Sequence, residues 1–242
     1  MPTGNDWSSF KVDQWRTALY RQDSYFAQLF KDTTEFIKRW SRPDSLIIEV
    51  GCGTGEALKA LEPFHRIGID YNPSFVEYCK NSVIASTVRF VVSDAQNLVS
   101  DMTTENSLLR QSVPHEWLSS TAPRVIICVG NTVGIMPEDV RTRVYQQMIE
   151  AAGPGGVAIV VFWNAQWFGD AVQNFYFMNP QLCGEFDGSA IDLKTHTLQT
   201  PSGYKTHWTG LEEARSGFKC MGFEILEAVE IGKGVAVVLK GS

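Results

Sequence analysis

Apolar residues in this chain fall into two rhythms. Short, nearly unbroken apolar runs recur at 46–50, 66–70, 87–92, 124–129 and 157–162. Their length and their lack of alternation predict strands buried on both faces. Between them lie stretches with helical spacing, at 56–61, from Asn72 onward, and at 140–152 and 211–221. Pro73 fits the first turn of its helix, where its missing N–H removes no bond. Gly153-Pro154-Gly155-Gly156 stops the helix ahead of it. Two last runs, 222–231 and 234–240, flank a Gly-Lys-Gly turn and must therefore pair antiparallel.

The ends of the chain and one internal segment read differently. Residues 5–40 are rich in aromatics, among them Trp7, Trp15, Tyr20, Phe30 and Trp40, at spacing that predicts two helices over 13–40. Residues 97–122 are polar and irregular, with His115 expected at the surface. Residues 163–209 open with Trp163 and Trp167. They end in an alternating stretch at 191–208, broken by Pro201-Ser202-Gly203, which predicts a hairpin.

The stretch that sets the chemistry is Leu46-Ile-Ile-Glu-Val-Gly-Cys-Gly-Thr-Gly-Glu-Ala-Leu58. Strand, glycine turn and helix form a nucleotide-binding layout, because glycines turn tightly and let a ligand approach the main chain. A dinucleotide fingerprint would need glycine at the position of Glu56. The pattern here is Glu49-x-Gly51-x-Gly53-x-Gly55. A carboxylate at the strand end repels a pyrophosphate and suits a cationic, amino-acid-bearing ligand. Asp70 closes the next strand about 20 residues past the loop, where such folds place a carboxylate on ribose hydroxyls.

These motifs resemble motif I and its downstream acids in the class I S-adenosylmethionine-dependent methyltransferases, small-molecule type, over residues 46–240. The resemblance implies an α/β fold: a Rossmann-like, seven-stranded, mostly parallel sheet with an antiparallel last strand and helices on both faces. It implies S-adenosylmethionine as cofactor and S-adenosylhomocysteine as product. Glu49, Gly51, Cys52, Gly53 and Gly55 would hold the methionine part, and Asp70 the ribose. Tyr71, Asp94 and Ala95 would hold the adenine, and Gly130 would face the transferred methyl. Asp94 also suits a helix N-cap. Residues 1–242 form a single methyltransferase domain on this reading, with an N-terminal helical lid at 1–42 and a substrate-cover insert at 163–209. Trp15, Tyr20, Trp163, Trp167 and Tyr204 are the expected substrate contacts. Asn131 and His207 are the candidate catalytic residues.

The expected reaction is methyl transfer to a nitrogen or oxygen of a small molecule. Alternatives are a cofactor-binding regulatory protein without turnover, a methyltransferase for an amino acid or protein side chain, and a nicotinamide oxidoreductase. The last is disfavoured by Glu56. Gly130 and Asn131 supply no acid for magnesium, so no metal is expected.

Composition narrows the partners. The 242 residues carry net charge −6, with no basic stripe, which argues against nucleic acid as a partner. The five cysteines form no C-x-x-C pair and suit a reducing compartment. The polar residues 1–9 and the shortness of every apolar run argue against a signal peptide or a membrane span. A cytoplasmic monomer or homodimer is expected.

Overall fold

The computed structural model describes residues 10–20 and 24–242. Trp7 and the expected polar N-terminus at 1–9 lie outside the described residues. In chain order the elements are α1 (Val12–Leu19), α2 (Ala27–Trp40), β1 (Leu46–Val50), α3 (Glu56–Ala60), β2 (His65–Asp70), α4 (Pro73–Ser82) and β3 (Val88–Val92). Three short helices follow, α5 (Leu98–Thr103), α6 (Leu108–Ser112) and α7 (His115–Ser119), then β4 (Arg124–Cys128), α8 (Glu138–Ala152) and β5 (Val157–Trp163). The insert holds α9 (Phe168–Ala171), α10 (Pro180–Cys183), β6 (Ile191–Asp192), β7 (Thr197–Gln199) and β8 (Lys205–His207). The chain ends with α11 (Leu211–Cys220), β9 (Ile225–Ile231) and β10 (Gly234–Lys240).

Seven strands make one sheet in the order β3-β2-β1-β4-β5-β10-β9. The first five run parallel, and β10 lies antiparallel to both of its neighbours. Strand parity divides the core into two layers. On β5, Val157, Ile159, Val161 and Trp163 face the layer covered by α1 to α4 and the insert. Ala158, Val160 and Phe162 face the layer covered by α5 to α8 and α11. Helices thus cover both faces of the sheet.

Local chemistry sets the element ends. Asn72 caps α4 by accepting from the Ser74 N–H at 2.9 Å, and Pro73 follows it at the first helical position. Gly153, at φ +66°, ends α8. The alternating stretch 191–208 departs from the expected single hairpin. Only β7 and β8 form that hairpin. The first arm turns after Asp192, whose Oδ1 accepts from the N–H groups of Lys194 and Thr195, and His196 takes φ +51°. A third strand, β6, results.

Candidate active site

The carboxyl ends of β1 to β4 open into one cavity of about 480 Å³. Its floor is the glycine turn, where Gly51, Gly53 and Gly55 all have positive φ. A Cβ on Gly51 would lie 2.4 Å from Thr132 Cγ2, so only glycine fits between β1 and the loop after β4. The turn is tied to the second strand. Gly53 N–H donates to Asp70 Oδ2 and Asn72 N–H to Asp70 Oδ1, each at 2.8 Å. Asp70 is thereby fixed in the cavity wall, with Tyr71 beside it, 64% exposed.

Glu49 is the unusual group. It is 3% exposed, and its Oε2 has no hydrogen-bond partner among the described residues. Burial, then the neighbouring Cys79 and Asp70, push its carboxyl well above the ordinary range. Burial likewise raises Asp70, against the pull of its two backbone donors. A cationic ligand would relieve both groups. The orphaned carboxyl oxygen and the open glycine turn fit the aminoacyl end of S-adenosylmethionine.

Asp94 and Ala95 line the far wall after β3, together with Ser93 and Gln96. Asp94 also caps the turn that follows, accepting from Gln96 N–H at 2.9 Å, while remaining in the cavity lining. Gly130 and Thr132 form the wall after β4. α1 supplies Trp15 to the cavity, and Tyr20 follows from the residue just after it. Tyr20 packs on Phe30 with ring centres 4.6 Å apart. Its phenol is pushed far up by burial, with Glu49 and Glu56 adding to the shift.

Several sequence-predicted residues lie elsewhere. Cys52 turns its side chain into the core, where its Sγ would lie 2.9 Å from a Cβ on Gly68. Asn131 is not free for chemistry. Its Oδ1 accepts from Trp163 N–H at 3.1 Å, and its Nδ2 donates to Thr206 Oγ1 and to the His207 carbonyl, each at 3.2 Å. It sits at φ +61° and braces the end of β5 against β8.

His207 pairs through Nε2 with Glu213 Oε1 at 3.1 Å and lines a separate hollow beside α8 and α11. Trp163 is buried and stacked on Phe26 at 4.2 Å, because it continues the parity of β5 into the core. Tyr204 is buried near Tyr176 and Phe10. Trp167 sits outside the cavity, 38% exposed, with Lys233 Nζ 5.6 Å from its ring. No residue lining the cavity comes from 163–209. The insert's aromatics cluster instead on the end of β5.

Sequence reasoning missed Ile135, Met136, Val140 and Val144, which close the apolar side of the cavity. The signal for the last two was present: Val140 and Val144 are four apart on α8 and share a face.

Residues 47–109 match the model of a methyltransferase domain. A stretch of 122 residues is 27% identical to a mouse protein called probable tRNA methyltransferase 9B, covering 50% of this chain and 22% of that protein. The chain thus spans about a fifth of that relative's length. A solved S-adenosylmethionine-dependent methyltransferase from Clostridium acetobutylicum superposes at TM-score 0.58 with 13% identity, covering 95% of this chain and 97% of its own. One from Anabaena variabilis superposes at TM-score 0.59 with 14% identity, covering 96% and 95%. The sheet order and its helical layers are those of these solved methyltransferases, and the stretch that matches the methyltransferase-domain model contains the glycine turn.

Proposed function

We propose that the protein transfers a methyl group from S-adenosylmethionine to a nitrogen or oxygen of a small-molecule acceptor. The observation that carries this reading is the cavity itself. Carboxylates at the ends of β1 and β2 and after β3 share one space with the glycine turn, and α1 with the residue after it walls that space with Trp15 and Tyr20. Glu49 and the glycine turn would hold the aminoacyl part, Asp70 the ribose hydroxyls, and Asp94 with Ala95 the adenine edge. When bound, the cofactor supplies an electrophilic methyl on a sulfonium. The protein's part is then to align the acceptor and exclude water. Residues 10–20 act as the cover in this reading, and the insert at 163–209 as a brace for the end of β5.

The test is calorimetric titration with S-adenosylhomocysteine and, separately, with NAD. Micromolar binding of the first alone is expected. Absence of that binding removes the reading.

A second reading takes its acceptor from the name of the mouse relative, a probable tRNA methyltransferase. A nucleic-acid backbone calls for lysines and arginines along its path, and this chain has net charge −6. Transfer of labelled methyl to a total tRNA fraction, set beside small amines and alcohols, separates the two.

A further inference from the structure

We propose that the accepting atom is an amine nitrogen, on a small molecule without an anionic group, and not an oxygen. This rests on the methyl-transfer reading above. Among the described residues lining the cavity, every ionisable side chain is a carboxyl or a phenol: Glu49, Asp70, Asp94, Tyr20 and Tyr71. No lysine, arginine or histidine is among them. Two described basic groups nearby in the chain have other partners. Arg16 lies over the Tyr78 ring and 3.9 Å from Glu56, and Lys59 is 2.9 Å from Glu56. His207 faces the other hollow.

That inventory separates the two nucleophiles by charge. A hydroxyl attacks well only as its anion. Its proton must first leave, and the anion must then sit beside carboxylates in a space with few polar partners. Tyr20, buried in the same wall, has its phenol pushed far up by burial and then by Glu49 and Glu56. A phenol or alcohol bound next to it meets the same surroundings.

An amine needs no anion. An acceptor that arrives as an ammonium ion gives one proton to solvent before attack. The nitrogen lone pair then forms the C–N bond while the methyl's C–S bond breaks, and that bonding pair stays on sulfur as a neutral thioether. Positive charge passes from sulfur to nitrogen without leaving the cavity, and the methylated ammonium later releases a proton to water. Carboxylates and aromatic faces favour the charge at both ends of that path. Aromatic rings lie near where the methyl is expected. Phe30, tilted against Tyr20, has its ring edge 3.9 Å from the Cβ position at Gly130. The Trp15 indole nitrogen lies 3.4 Å from that of Gly53.

The test begins with S-adenosylhomocysteine titrated into the full chain. Failure to bind overturns the methyl-transfer reading itself. The loaded protein is then titrated with benzylamine, benzyl alcohol and benzoate, which share a ring and differ in charge. At least tenfold tighter binding of benzylamine than of either partner is expected. Equal binding of the three, absent binding of all three, or a preference for the alcohol or benzoate overturns the amine assignment while leaving the cofactor reading intact. A turnover screen of amines and phenols, read as S-adenosylhomocysteine release, gives the second readout. Methylated amines support the assignment, whereas methylated phenols with amines untouched, or methylated tRNA, sink it.

Discussion

At the scale of single residues, Glu49 and Asp70 carry opposite lessons. Asp70 is satisfied by two backbone donors before any ligand arrives, whereas Glu49 keeps an oxygen with no partner among the described residues. Asp70→Asn keeps one accepting oxygen and turns its NH2 toward the other backbone donor. Loss of one charge-assisted bond amounts to about 1.5–3 kcal/mol. Affinity for S-adenosylhomocysteine should therefore fall at least about tenfold, read by calorimetry.

Glu49 makes a stability prediction with a definite sign. Burial holds its proton more tightly in the folded chain than in the unfolded one. The folded state then binds more protons, so stability falls as pH rises from the ordinary carboxylate range through the raised folded value. Glu49→Gln should flatten that fall and raise the melting temperature of the ligand-free protein by about 2–4 °C at neutral pH, for a gain of about 1 kcal/mol. The same change should weaken the cofactor. Unchanged melting curves across pH would show that the carboxyl is not strained.

At the scale of elements, two loops decide whether the site exists. Gly51 combines φ +67° with a close approach to Thr132. Gly51→Ala should cost about 2–4 kcal/mol, combining a left-handed backbone penalty with a clash. Adding Thr132→Ser removes the methyl that clashes and should recover the steric part, leaving about 1–2 kcal/mol. Equal denaturation midpoints for the single and double variants would contradict this division. Asn131→Ala should behave as a structural lesion. It strips three hydrogen bonds from β5, β8 and the turn between β4 and α8. A loss of roughly 3 kcal/mol lowers the melting temperature by about 6–12 °C.

Asn131 also shows where reading the sequence stops. The glycines, Glu49 and Asp70 were legible because strand, turn and spacing alone fix their places. Asn131, His207 and Tyr204 were chosen for their chemistry, and their chemistry is engaged elsewhere. A polar side chain after a strand end can aim into a pocket or back into the protein, and spacing does not say which. Trp163 was legible in principle, since period two along β5 points it to the core with Val161.

At the scale of the molecule, strand and helix signals sufficed for the strands of the sheet and for the antiparallel pairing of β9 with β10, whereas the mostly parallel sheet with helices on both faces was implied by the family resemblance. The insert was the least legible region because its elements are short, two to four residues for most, and held by tertiary contacts rather than by local preference. Its aromatics serve packing against the end of β5 and the residue ahead of α2, as Phe175 and Trp208 against Trp163 and Phe26 show.

The position of β10 has one more consequence. It comes after β9 in the chain yet lies between β5 and β9. A ribosome therefore delivers the strand that joins the two parts of the sheet after all the others. Until then β5 and β9 each present an unpaired backbone border, the kind of edge that templates wrong partners. A chain shortened after residue 233 should accumulate as insoluble protein rather than as a weakened but soluble enzyme, visible as lost soluble yield. For this fold, the hazard of a premature stop lies in sticking to neighbours before it lies in lost catalysis.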